Sequence, residues 1–295
     1  MVRRPVTSTQ QIFDSVWWRS DVEHGRPYLI NCSILFTELP LLERPAAAKA
    51  AGFDAVEFWW PFSSAAPADA EVDRFVAAVK DAGVRLVGLN FAAGDMPDGD
   101  RGLMSWPGRS HEFHDSVEIA VGIADQLGTG AFNALYGNRL DESTAEEQDD
   151  LAAANLVHAA ETAGRAGAVV LVEPVSGSPR YPLLTAADVM TVIERVHADA
   201  GVDNVRLLAD LYHLAVNGDD IAAVVSQHAE HIAHVQIADA PGRHEPGTGE
   251  LDLDHHLREL ERAGYSGWVG LEYTPSTSTE ESLGWLPRER RAATT

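Results

Sequence analysis

From Tyr28 onward, short apolar runs of strand length alternate with amphipathic stretches of helical period. The pattern predicts strands at about Tyr28–Ser33, Ala55–Trp59, Arg85–Asn90 and Ala131–Tyr136, then four more ending at Glu173, Asp210, Gln236 and Glu272. Between them it predicts helices at about Pro40–Ala51, Asp69–Ala82, Arg109–Leu127, Ser143–Ala166, Thr185–Val196, Asp219–Ala229 and Leu253–Ala263, with a last one at Thr279–Trp285. Gly52 and Gly83 stop the first two. Ser143 is read as the cap of the fourth, with Glu146 and Glu147 in its first turn. Strict alternation of strand and helix implies a parallel sheet with helices outside it. Eight such repeats make a (β/α)8 TIM barrel. The expected layout is an N-terminal extension over 1–27, a barrel domain over 28–287 and a C-terminal tail over 288–295. In the extension, Thr9–Arg19 reads as a short helix with Ile12, Phe13, Val16 and Trp17 on one face. It suits a barrel plug, a homo-oligomer contact or a disordered tail equally.

The ends of the last four strands carry the chemistry. Val169-Val170-Leu171-Val172 runs into Glu173, Val205 to Ala209 into Asp210, Ile232 to Val235 into Gln236, and Trp268 to Leu271 into Glu272. An unpaired carboxylate at the end of a buried run is costly. One alone reads as a helix cap or a surface pair. Four oxygen donors in succession point to a shared site at the mouth where barrel active sites are built. Carboxylates and an amide oxygen suit a hard divalent ion, Mg2+ or Mn2+ ahead of Ca2+. With no cysteine among them, and histidine beside rather than at these ends, zinc is disfavoured. The stretch Ala92 to Gly108 is long for a strand-to-helix connection, and long loops in compact domains are often functional lids.

Composition narrows the classes. A formal charge of -23 argues against nucleic acid, which needs a basic footprint. The same charge repels anions at long range, so an acidic substrate must be captured by local cations. Cys32 is the one cysteine, so there is no disulfide framework; this fits a reducing compartment and a cytoplasmic enzyme. No window reaches the ~18 consecutive apolar residues of a membrane span, and the N-terminus shows no apolar signal core. Lysine occurs only at Lys49 and Lys80, both in helix-like stretches, which argues against a Schiff-base mechanism.

Several ordered motifs are similar to those of the hydroxypyruvate isomerase family. They are Leu35-Phe36-Thr37-Glu38, Ala51-Gly52-Phe53-Asp54-Ala55-Val56-Glu57-Phe58, Ala93-Gly94-Asp95, Pro107-Gly108-Arg109 and Val172-Glu173-Pro174. Asp210-Leu211-Tyr212-His213, Gln236-Ile237-Ala238-Asp239, Glu245-Pro246-Gly247-Thr248-Gly249-Glu250 and Trp268-Val269-Gly270-Leu271-Glu272-Tyr273 complete the series. The resemblance spans roughly Tyr28 to Trp285 and implies a xylose isomerase-like barrel. It implies that Glu173, Asp210, Gln236 and Glu272 hold one divalent metal, and that Glu173 and Glu272 are the catalytic acid/base pair. The activity it implies is interconversion of hydroxypyruvate and tartronate semialdehyde through an enediolate.

Other positions are candidates for substrate contact. His213 follows Asp210 by three residues and can reach a substrate oxygen, with a plain loop histidine as the alternative. Glu57 and Asn90 lie at or near strand ends, where a cap or core pairing is nearly as natural. Arg109 and Arg139 are candidate clamps for a substrate carboxylate, with surface ion pairs as the alternative. Arg243 lies in a turn-rich loop that glycines allow close to the mouth, with an ordinary capped strand-to-helix loop as an equal alternative. The chain departs from the family pattern at Leu89, where histidine is often found, at Asn138, where a basic residue is often seen, and at Val175-Ser176-Gly177-Ser178-Pro179. These departures touch substrate contacts rather than the metal set. Isomerisation of a four-carbon 2-oxo acid (2-oxo-tetronate), ketose epimerisation and an inosose-type dehydration therefore stand as alternatives.

Overall fold

A computed structural model describes residues 24–292. The expected helix at Thr9–Arg19 lies outside the described residues. The strands β1 (Tyr28–Asn31), β2 (Ala55–Phe58), β3 (Arg85–Asn90), β4 (Ala131–Asn133), β5 (Val169–Val172), β6 (Val205–Asp210), β7 (Ile232–Ile237) and β8 (Val269–Leu271) pair in chain order. All pairings are parallel, and β8 pairs with β1 to close the barrel. Around it run α1 (Arg44–Ala50), α2 (Asp69–Ala82), α3 (Ser110–Leu127), α4 (Ala145–Arg165), α5 (Ala186–Ala200), α6 (Leu211–Asn217), α7 (Ile221–His228), α8 (Leu253–Arg262) and α9 (Thr279–Ser282). No helix among the described residues is long and apolar enough to cross a membrane.

Successive strand residues point to opposite faces, and the two faces are filled differently. Outward-facing aromatics pack under the helices. Phe58 of β2 meets Phe75 of α2 edge-on at 5.2 Å, and Phe91 stacks on Phe132 of β4 at 5.2 Å. The inward face holds a separate small cluster, Ala131, Leu171 and Leu208. Two residues further along the same rows stand Asn133, Glu173 and Asp210, all buried. The lumen thus changes from apolar to polar in one step of the pleat, and the polar layer falls at the C-terminal mouth.

Three local findings differ from the sequence expectations. Thr144, not Ser143, caps α4: its hydroxyl accepts from Glu147 N at 3.2 Å, and the Glu147 carboxylate accepts from Thr144 N in return. β4 stops at Asn133, and the Tyr136 N–H goes to Tyr181 Oη at 3.0 Å instead of to a strand. An unexpected helix, α6, starts directly after β6, with Asp210 Oδ1 accepting from Tyr212 N at 2.8 Å as its N-cap. The described part of the expected C-terminal tail is docked: Arg288 and Arg291 donate to Ala50 O and Ala51 O at the end of α1.

His24 seals the approach to β1, its Nε2 2.8 Å from Tyr28 Oη. Burial, reinforced by Arg290, lowers its pKa to about 4. The unfolded chain, with an ordinary histidine near 6.5, binds more protons between those values. This contribution to stability is therefore complete above pH 6.5 and lost as pH falls towards 4. His24→Gln is expected to flatten part of the acid slope of the melting temperature, by a few degrees over that window, as read by circular dichroism.

Candidate active site

The four strand-end donors are all buried, with Asp210 fully so. Parallel pairing sets Asp210 opposite Gln236, and Gln236 opposite Gly270, two residues before Glu272. Glu173 and Glu272 face one cavity of about 320 Å3 at the barrel mouth. Trp59, Asn90, Met96, Arg101, Ser176, His213 and Arg243 share its walls. Asp210 and Gln236 lie beneath this layer.

Each acid has a defined set of partners. Glu173 Oε1 accepts from Asn133 Nδ2 at 2.8 Å, and no protein donor among the described residues meets its Oε2. Glu272 Oε1 accepts from Arg243 Nη2 at 2.6 Å, and its Oε2 accepts from Asn31 at 2.9 Å and Gln236 at 2.5 Å. Burial pushes the Glu173 carboxyl up to about 8, with Asn133 opposing and Asp210 adding to the rise. Burial also raises Glu272 well above the carboxylate range, against the pull of Arg243. For Arg243 itself, burial works against the charge, but Glu272, Asp210 and Glu173 outweigh it and keep the guanidinium protonated. Arg243 reaches the mouth from the loop after β7, with φ 58, a left-handed value uncommon outside glycine. Asp239 holds that loop, accepting from Ala240 N, Gly247 N and Leu251 N.

His213 is fixed in one tautomer. Ser176 N donates to its Nδ1 at 3.0 Å, so Nδ1 is an acceptor and Nε2 carries the proton. Nε2 lies 3.6 Å from Asp210 Oδ2. Burial lowers the His213 pKa to about 4, with Arg243 and Arg101 helping and Asp210 opposing, so the ring is a neutral N–H donor at physiological pH.

The other candidates fall elsewhere. Arg109 is paired with Glu112 at 2.7 Å and with Asp100 at 3.5 Å, and it faces a neighbouring groove past Trp59. Arg139 pairs with Asp149 at 2.7 Å in a separate pocket beside α5. Glu57 lies under the site, with its carboxylate held by Asn31, Gln236 and His234. The arginine that faces the cavity beside Arg243 is Arg101, from the loop 92–108. Its Nη1 donates to Met96 O and Asp100 O at 3.0 and 2.6 Å, and no carboxylate among the described residues neutralises it. Gly102 seats it: at φ +115, a Cβ there would stand 2.0 Å from Leu135 O. That glycine, inside Gly99-Asp100-Arg101-Gly102, is the sequence signal that could have singled Arg101 out.

The donor set suits a hard divalent ion. Asp210 Oδ2 and Gln236 Oε1 are buried with no hydrogen-bond partner. Each such orphan costs about 1–3 kcal/mol, which a cation ligated by both would remove. Among the described residues, no three Asp, Glu, His or Cys side chains are already drawn together as a preformed cage. The positive charge these carboxylates meet is Arg243, 3.7 Å from Asp210 Oδ2. The orphaned oxygens of Asp210 and Gln236 are the observation that fits this set to an ion.

A buried acid pair facing a cavity at the C-terminal mouth of a parallel eight-stranded barrel stands where enzymes of this fold build their active sites. Residues 45–289 match the family model described as xylose isomerase-like TIM barrel, and the chain belongs to that family. It is 52% identical over 269 residues to a putative hydroxypyruvate isomerase of Streptomyces coelicolor, covering 90% of this chain and 96% of that protein. It is 33% identical over 258 residues to the hydroxypyruvate isomerase of Escherichia coli, covering 87% and 96%. It is 33% identical over 261 residues to the 2-oxo-tetronate isomerase of Cupriavidus necator, covering 88% and 96%. The chain is an enzyme of the isomerase class, similar to hydroxypyruvate isomerases.

Proposed function

We propose that this enzyme interconverts hydroxypyruvate and tartronate semialdehyde with one Mg2+ or Mn2+ ion held by Glu173, Asp210, Gln236 and Glu272. The observation that carries the reading is the pairing of Glu173 and Glu272 across a cavity that also presents an unneutralised guanidinium. When bound, the ion supplies Lewis-acid stabilisation of negative charge developing on the substrate oxygens. Glu173 is the base that takes the proton from the hydroxymethyl carbon, because its Oε2 is left for the cavity. Glu272 delivers a proton to the neighbouring carbon, and the proton of the substrate hydroxyl passes to the former carbonyl oxygen, so the product is an isomer with no net gain or loss of protons. The neutral His213 Nε2–H donates to a substrate oxygen, and Arg101 holds the substrate carboxylate. The overall negative charge of the chain makes that local cation necessary.

The reaction is tested by following hydroxypyruvate with NMR, beside 2-oxo-tetronate and neutral ketoses. The expected result is an isomeric product from the 2-oxo acids. Loss of water, or turnover of neutral ketoses alone, would overturn the assignment. A four-carbon 2-oxo acid is the second reading. The cavity is large for a three-carbon acid, and the Cupriavidus relative is named for such a substrate.

Arg101→Met is expected to lower kcat/KM for hydroxypyruvate by about 10–100-fold, mainly through KM. A hydrogen bond to a charged group contributes about 1.5–3 kcal/mol. Dihydroxyacetone, which lacks the carboxylate, serves as the comparison substrate, and any turnover of it is expected not to change. An equal loss on both substrates would remove Arg101 from carboxylate recognition.

A further inference from the structure

Beneath the cavity floor, the barrel lumen holds a second polar layer whose side chains do not line the cavity but meet Glu272 from below. Glu57 enters it from β2, at a shift in the register between β2 and β3. His234 and Gln236 enter from β7, two residues apart and so on one face. His234 Nε2 stands 2.6 Å from Glu57 Oε2, and Glu57 Oε1 accepts from Asn31 Nδ2 at 3.1 Å and Gln236 Nε2 at 2.8 Å. Two glycines clear the space. A Cβ at Gly270 would lie 2.8 Å from Glu57 Oε1, and one at Gly88 would lie 3.3 Å from Glu57 Oε2.

The consequence falls on the Gln236 amide. A carboxamide can be turned either way, with its nitrogen and oxygen exchanging places. Here one end of the amide meets two carboxylate oxygens, Glu57 Oε1 at 2.8 Å and Glu272 Oε2 at 2.5 Å. The Glu57 carboxylate can only accept there, so that end must be the NH2. The carbonyl Oε1 is then turned away from them and is left buried with no donor. The same contacts explain glutamine at this place. A glutamate at position 236 would set a third carboxyl group against the other two, in place of the NH2 that now donates to both.

We propose that Glu57, held by His234, is a positioning residue that orients the Gln236 amide so that its oxygen is presented to a divalent ion. The proposal rests on the reading of Gln236 as a metal ligand. Glu57 touches neither substrate nor ion; it acts through the amide.

The test uses the full chain stripped by chelation and titrated with Mn2+, with free Mn2+ read by electron paramagnetic resonance. Glu57→Leu fills the space but offers no acceptor. It is expected to weaken Mn2+ binding by about tenfold or more, the usual size of effect for groups that orient ligands. Glu57→Gln keeps an acceptor oxygen and is expected to stay within about threefold of the parent. Gln236→Glu keeps the size of the side chain and tests the same contact from its other side. Adding a negative charge would ordinarily tighten cation binding, but here about tenfold weaker binding is expected, because Glu57 faces the new carboxylate. The double variant Glu57→Gln/Gln236→Glu, which restores a donor opposite the carboxylate, is expected to recover most of that loss. A merely structural role would lower the melting temperature without such a rescue. Mn2+ binding unchanged in Glu57→Leu, or Gln236→Glu binding more tightly whatever stands at position 57, would overturn the positioning role. Failure of the parent chain to bind Mn2+ would instead sink the metal reading, and with it this one.

Discussion

Glu173→Gln is expected to lower kcat by about 10^2–10^4-fold, the usual contribution of a positioned general base, with little change in KM. The variant keeps the shape of the side chain and an oxygen for Asn133 Nδ2, whose bond to Glu173 is 2.8 Å. It removes the one carboxylate oxygen at the mouth that no protein donor occupies. Stability should hold or rise, since burial already pushes this carboxyl towards its neutral form. The assignment of roles has its own readout in D2O. With Glu173 as base, Glu173→Gln abolishes enzyme-dependent exchange of the hydroxymethyl proton of hydroxypyruvate. Glu272→Gln leaves that exchange detectable while product formation stops. Activity of Glu173→Gln within tenfold of the parent, or exchange surviving in it, would take the base role from Glu173.

The sequence revealed depth poorly and direction well. A strand ending on an acid after an apolar run signals a cost that the fold must offset, so Glu173, Asp210 and Glu272 stood out as candidates, with Gln236 beside them as the fourth oxygen donor in series. Parity along a strand says which face a side chain takes, and Glu57 does face the lumen. Parity does not say how far down the lumen it lies, so a residue of the lower layer read like one at the rim. Arginine posed the opposite difficulty. Arg109 and Arg139 adjoin predicted elements, whereas Arg101 stands in a loop with no periodicity. There its position depends on one backbone approach, that of Gly102 to Leu135 O. The helix α6 went unread because Asp210 both ends β6 and caps the next turn, leaving no loop to mark the boundary.

Removing divalent metal with EDTA is expected to cut turnover by about 10^3-fold or more, since Lewis-acid stabilisation amounts to several kcal/mol. Mg2+ or Mn2+ in excess of the chelator is expected to restore it. The site as it stands explains why the protein itself should respond. Two orphaned oxygens, Asp210 Oδ2 and Gln236 Oε1, lie beside two carboxyls that burial drives towards protonation, and Arg243 is shared between Glu272 and Asp210. One guanidinium offers these acids charge but cannot meet both orphans. An ion that binds only the folded chain stabilises it by about 2.7 kcal/mol at a hundred times its Kd. For a chain of this size that is roughly a 5 °C rise in melting temperature. The rise should be lost in Asp210→Asn, which keeps an acceptor for Tyr212 N at the cap of α6 while discarding the charge. A melting temperature indifferent to Mn2+, together with full activity in EDTA, would leave Arg243 as the cation that Glu272 and Asp210 share.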